Sequence, residues 1–563
     1  MNIRWTTPHT IKRVLKNYLQ IMKFTEIMKL RISRLLIFAA LMPFITGCYE
    51  DKGNYEYSPN EEITVSFPEN ILAMQGEYIE FNPTVESNLT GELKDDNDNY
   101  EFGCKILFEN YDDEGKRHDW LDVNLEHTKA VNFQARFPAS TYPLWYTVTN
   151  KKTGVVYNFQ TSASILNATS QGWMVLSNNG PDKKCRLDMI YRNSRGEETV
   201  NPDIRDTDSP ELYDARQIYM NATKISINGN ETFIWLCTGS GTYQLNNGSL
   251  VTDESMNAKI TQFTAFDIPG EVVWWYPVHF TSHGPESRVC ITSEGNAYGI
   301  YQFVANIGFE NPMNTDAPGN PPTYKVAPVA ASSEVRPGKS RGALFYDITN
   351  KRFMGFVYTG EYGDSEILHP LVHNPELGPQ KFNYTTGMDF VHMEGTRFSD
   401  GVVYTVLQDS HSLRHIYGIQ MVDESFKQEA YYGNISAENF HTATDYAFHS
   451  QYPFVCYCKD NKLYCYDYAN DRLTDVITLD SSEHTTMVKF PLYRIFDLSR
   501  LPDQSAEFMG KQFQCVLGSS TGGENSGIIR FYEVDPFGKL KLKVTYTGLG
   551  EEPKDITYRE YVR

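Results

Sequence analysis

No apolar run in this 563-residue chain is long enough to cross a bilayer: the longest, Leu35 to Phe44, has ten residues, and a spanning helix needs ~20. Positive charge is also scarce, with 51 Lys and Arg against 71 Asp and Glu. There is no HExxH, Walker loop, Rossmann glycine pattern or CxxC, which removes the commonest signatures of zinc and nucleotide chemistry. Beyond residue 60 no long segment has the 3.6-residue apolar period of an amphipathic helix.

What is present begins with a border. Lys29, Arg31 and Arg34 precede the apolar run, and Ile45-Thr46-Gly47-Cys48 follows it. A positive n-region and a short h-region read as a secretory signal peptide. The tetrapeptide resembles the bacterial lipobox, which makes Cys48 the expected first residue of the mature protein and its lipidation site. Residues 1–27 carry no second signal, so Met22 or Met28 is the expected start of translation. Acyl chains contribute ~0.8 kcal/mol per buried CH₂, and stable anchoring needs more than one chain. A diacylglyceryl cysteine with an N-acyl group meets that need without a spanning helix. Tyr49, Glu50 and Asp51 resemble the acidic export tag of surface lipoproteins of the Bacteroidetes. The expected localisation is the outer membrane, exposed at the cell surface.

The first 47 residues hold eight Lys and Arg and one acidic residue, leaving 43 basic against 70 acidic side chains, a net charge of −27. Such a body lacks the basic patch that nucleic-acid phosphates demand. Aromatic residues make up 13% of the chain, and with Val, Ile and Thr they favour strands; 39 Gly and 27 Pro punctuate them. The expected fold is all-β.

Residues 48–62 read as a polar tether. From 63 to 166 about seven short alternating strands, among them "ITVSF", "CKILFEN" and "PLWYTVTN", suit an Ig-like sandwich. The stretch "PASTYPLWYTVTNKKTGVVYNFQTSASI" resembles the closing half of a PKD-like domain, and with "GCYEDKGNYEY" it resembles the PKD-like lipoproteins of Bacteroidetes. The W-D-F-G-D-G signature of ordinary PKD domains is replaced by "NYEFGCKILFENYDDEG", so no ligand habit of that signature carries over. The resemblance implies an accessory of surface nutrient uptake, partnered by a SusC-like TonB-dependent transporter and a SusD-like lipoprotein.

From 170 to 563 seven segments repeat one plan, an apolar strand, a Gly/Asn/Asp turn and an aromatic strand, at 172–191, 233–251, 288–303, 342–358, 401–421, 453–479 and 513–546. That spacing predicts a β-propeller of seven blades, with six or eight as alternatives, and "KDITYREYVR" as a closing strand for the first or last blade. Of nine cysteines, eight follow Cys48. Cys237, Cys290, Cys456 and Cys515 fall in the apolar strand before the turn, so they are expected to be small buried blade residues. Equivalent positions of different blades are expected to lie beyond disulfide reach.

No cofactor or metal is expected. Asp95 to Asn99 ("DDNDN") lacks the glycine and distal glutamate of a calcium loop. His441, Asp445 and His449 in "HTATDYAFH" are a candidate metal set only if helical. "EVVWWYPVHF" concentrates Trp274, Trp275 and Tyr276 beside His279, and these three aromatic residues are the candidate ligand-binding surface, the competing reading being blade core. The expected function is non-enzymatic capture of glycan or peptide for a transporter, or docking on it. The alternatives are a surface propeller hydrolase or lyase acting on polysaccharide, and a purely structural subunit.

Overall fold

The computed structural model describes residues 60–559 apart from short internal stretches, the longest being 302–307, 334–341, 358–366 and 493–510. The expected signal peptide, the expected lipidation site Cys48 and the tether up to residue 59 lie outside the described residues, as do His279's side chain and part of "DDNDN". The chain divides into two compact units, Met1–Thr64 with Glu86–Gly91, and Val65–Val85 with Glu92–Arg563. In the first, the Glu62 amide donates to Asn88 at 2.9 Å and Ser87 Oγ donates to Glu61 at 2.8 Å.

The N-terminal part of the second unit is a sandwich. The main sheet has the strand order Ile71–Met74, Val156–Leu166, Ser140–Asn150, Tyr100–Tyr111, Arg117–Val123, and Tyr78–Phe81 pairs separately with Val131–Gln134. Period-two alternation decides the face that is buried. Leu144, Tyr146 and Val148 are fully buried, beside Phe102, Cys104 and Ile106 of the next strand, and Trp145 and Thr147 between them are not. Phe67 meets Tyr146 edge-on at 5.9 Å, and the Tyr146 hydroxyl donates to the Lys129 carbonyl at 2.9 Å, so its buried polar tip is satisfied.

From Gly172 onward the described residues form seven antiparallel sheets. In chain order from the innermost strand, they are Glu552–Arg559 with Gly172–Asn179, Lys184–Arg192 and Glu198–Asn201; Ala215–Ser226, Gly229–Thr238 and Gly241–Leu245; Val272–Thr281, Gly284–Thr292 and Ala297–Tyr301; Gly342–Asp347, Arg352–Val357 and His369–Pro370; Asp389–Gly395, Val402–Gln408, Arg414–Val422 and Ser425–Tyr432; Asp445–Phe448, Phe454–Lys459, Lys462–Asp467 and Arg472–Thr478; and His484–Lys489, Cys515–Ser520, Gly527–Val534 and Leu540–Leu549. In the fourth, residues 326–331 run inside the first named strand, held by bridges Val326 to Asp347 and Ala331 to Leu344.

The strands are buried on both faces, which explains their unbroken apolar runs. In "WMVL" (173–176), Met174 and Leu176 pack with Ile218 and Leu236 of the second sheet. Trp173 and Val175 point the other way, to Val516 and Phe531 of the seventh. The same division holds all the way round: Trp235 with Trp275 between second and third, Tyr276 with Phe345 between third and fourth, Tyr346 with Tyr417 between fourth and fifth, Tyr404 with Tyr457 between fifth and sixth, and Cys456 with Leu517 between sixth and seventh. Seven apolar layers between seven sheets, the last joining the seventh to the first, make a propeller-like ring. Each buried Leu, Val or Phe contributes ~1.5–3 kcal/mol relative to exposure.

The closing strand goes to the first sheet: Gly172 to Asn178 pair antiparallel with Arg559 to Glu552. Turn chemistry repeats too. Asp347 accepts from the Asn350 amide and side chain, and Asp467 does the same with Asn470, while Lys351 and Asp471 behind them both take positive φ, 53° and 46°. One D-x-x-N-x-R turn thus closes a hairpin in the fourth sheet and another, at a different place in the strand order, in the sixth.

All eight described cysteines are buried free thiols. Cys456 pairs with Cys465 across neighbouring strands, and both pack in one apolar layer with Cys515 of the next sheet.

Candidate functional site

Innermost strands of a ring leave a space on its axis. Here it is a cavity of about 350 Å³, lined by residues from the inner segments of all seven sheets. Its wall is chemically divided.

The third and fourth sheets supply an apolar side. Trp274 and Tyr276 line the cavity, two apart on one strand and therefore on one face. Trp274 Nε1 donates to the Ala330 carbonyl at 3.3 Å, which fixes the indole against the fourth sheet. Trp275 faces the opposite way: it is 2% exposed and stacks on Trp235 with centroids 4.7 Å apart. Two of the three candidate aromatics thus reach the cavity and one belongs to the layer between sheets.

The first, second and seventh sheets supply Lys554, Arg216 and Lys489. Each has its own acid: Lys554 lies 3.1 Å from Glu552, Arg216 lies 3.0 Å from Asp214, and Lys489 pairs with Asp555 while also donating to the Ile556 carbonyl at 3.0 Å. Asp555 in turn accepts from the Ile218 amide at 2.9 Å, tying the first sheet to the second.

The fifth and sixth sheets supply His392, Glu394 and Asp445, which local spacing did not single out together. His392 Nδ1 lies 3.7 Å from Asp445 Oδ1, and Nε2 lies 3.8 Å from Glu394 Oε1. Glu394 also accepts from the Phe448 amide, and Asp445 Oδ2 accepts from the Val488 amide at 2.9 Å. These carboxylates join the fifth sheet to the sixth and the sixth to the seventh. Desolvation, the strongest influence on His392, pushes its pKa down, but the neighbouring carboxylates of Glu394 and Asp445 outweigh it, so the imidazole is held above its usual value. Burial pushes the Asp445 carboxyl up, against the pull of His392.

The candidate metal set separates. His441 Nδ1 accepts from the Arg414 amide at 2.8 Å and its Nε2 meets the Ile435 carbonyl at 3.0 Å. His449 Nδ1 accepts from the amides of Gln451 and Tyr452, at 2.9 and 3.1 Å, and burial holds its pKa down at about 4. Both shape turns. Among the described residues no group of three His, Cys, Asp or Glu side chains is arranged to hold a metal ion. Asp95, from "DDNDN", accepts from the Lys129 amide at 2.7 Å.

Residues 48–209 match the PKD-like family. No curated protein matches the sequence. Among solved structures, the chain is similar to a chain of the mitotic checkpoint complex (9% identity, 62% of this chain and 88% of that one, TM-score 0.34). It is similar to apo AztD from Citrobacter koseri (9%, 82% and 98%, TM-score 0.29). It is also similar to PorZ of Porphyromonas gingivalis, a bacterial surface component of the type-IX secretion system (9%, 66% and 39%, TM-score 0.33). At these scores they are likenesses and no more.

Proposed function

We propose that this protein is a lipid-anchored, outer-membrane accessory of a nutrient uptake system, which captures glycan or peptide in its axial cavity for a SusC-like TonB-dependent transporter and a SusD-like lipoprotein. The observation that carries this reading is the cavity itself, lined by all seven sheets, where aromatic faces and charged groups from six of them converge. The PKD-like match, which starts at Cys48, supports the anchoring. So does the border between the short apolar run and that cysteine. Among the described residues no helix is long and apolar enough to cross a membrane. The surface docking and the partners rest on the resemblance.

Anchoring is tested by growing cells with an alkyne-tagged palmitate. The wild-type chain should carry label and sediment with membranes, and Cys48→Ser should lose the label. Equal labelling of the variant would rule out an anchor at this cysteine. A second reading, a surface hydrolase or lyase acting on polysaccharide, is favoured by one observation: an imidazole held between two carboxylates at a cavity wall is equipped for proton transfer. Release of reducing or unsaturated ends from polysaccharide, abolished by His392→Gln, would establish it.

A further inference from the structure

The cavity wall carries charge of both signs, but the signs are not equally compensated. Arg216, Lys489 and Lys554 each face an acidic partner at ion-pair distance. On the opposite side, Glu394 and Asp445 have, among the described residues, a single shared counter-charge, the His392 imidazole. With both carboxylates ionised, the one imidazole leaves that side negative whether or not the ring is protonated. Their remaining partners are backbone amides, of Phe448 for Glu394 and of Val488 and Tyr446 for the two oxygens of Asp445, which do not cancel charge. Across the cavity stand Trp274 and Tyr276, whose ring faces also attract cations.

We infer that the cavity is selective for an organic ammonium group, seated at Glu394 and Asp445 with the hydrocarbon or sugar body of the ligand against Trp274 and Tyr276. The inference rests on the capture reading and narrows it to one class of ligand. An anionic ligand would meet carboxylates with, among the described residues, no free cation to offset them, and a wholly neutral one would leave the charge uncompensated. A cation brought to Asp445 also favours its ionised form, which burial alone opposes. The ammonium can come from an amino sugar or from a peptide amine, and both present the same charge-assisted donors.

The test uses the soluble protein from residue 49 onward and calorimetric titration at low and high salt. Glucosamine oligomers are compared with their N-acetylated forms, and short peptides with free amines are compared with acetylated ones. Binding of at least one amine probe, weakened about ten-fold or more by acetylation, by Glu394→Gln or by Asp445→Asn, is the expected result. Weakening by salt should accompany it. Glutamine and asparagine keep an acceptor for the Phe448 and Val488 amides, and a thermal scan of each variant identifies any that unfolds. Should both do so, the acetylated probes decide alone. If sugars favour the amine form and peptides do not bind, the source is an amino sugar, and the reverse identifies a peptide. Equal affinity for free and acetylated probes overturns the inference while leaving capture intact. If no probe binds in any form, both the inference and capture of these ligands fail.

Discussion

A chain ending at Gly550 will lose its native ring. The deleted segment includes Glu552–Arg559, which pairs with Gly172 to Asn178 and is the innermost strand of the first sheet. Ile556 is fully buried and Tyr558 nearly so, in the layer with Trp173, Val175 and Phe531. Trp173 meets Tyr558 at 5.0 Å and Phe531 at 5.1 Å, so the deletion strips one side of an aromatic cluster. It also removes Asp555, the partner of both Lys489 and the Ile218 amide. Because the layers form a circuit, an opening between the first sheet and its neighbours exposes two of them at once, together with an unpaired strand edge. The expected outcome is a product that elutes as aggregate and has lost its near-ultraviolet circular dichroism. A monomer with a sharp unfolding transition within a few degrees of the full chain would show that the ring does not depend on this strand.

Asp188→Ala will cost about 3–5 kcal/mol, the usual effect of removing one member of a buried ion pair. Asp188 is 0% exposed and holds three donors: Arg186 Nε at 2.7 Å, the Asp203 amide at 2.9 Å and the Gly550 amide at 2.8 Å. Arg186 is itself buried, and it reaches Asn525 and the Gly548 carbonyl at 3.1 Å. The pair therefore fastens the first sheet to the segment that leads from the seventh sheet into the closing strand. Alanine leaves a guanidinium without its counter-charge and two amides without an acceptor. Urea unfolding followed by tryptophan fluorescence reads the loss, and Arg186→Met in the same background should recover part of it, since the stranded charge is then gone. A single-variant loss below about 1 kcal/mol would contradict the role assigned to this pair.

Much of the architecture is legible in the sequence because the layers impose it. Strands buried on both faces must be apolar throughout, and "WMVL", "GALFY" and "PFVCYC" announce themselves. The D-x-x-N-x-R turns at Asp347 and Asp467 repeat because a tight turn of this kind uses the same hydrogen bonds wherever it falls in a sheet. Trp274 and Tyr276 share a face by period two, with Trp275 opposite, and that pattern separates cavity wall from core. The acidic side of the wall is harder to read. His392 and Glu394 stand two apart in "FVHMEG", a spacing that puts both on one face of a strand, and that signal was there to be used. Asp445 lay hidden in "HTATDYAFH", where the eight-residue spacing of the histidines suggests a helical face although Asp445 opens a strand. Lys489 and Asp555 are 66 residues apart, and only closure of the ring brings them together.

The most direct test of the proposed role is to isolate the lipidated protein from its native outer membrane in mild detergent and identify by mass spectrometry what accompanies it. A SusC-like transporter and a SusD-like lipoprotein, in near-equal amounts, are the expected companions. Recovery of this chain alone, from membranes in which such a pair is abundant, would contradict the role.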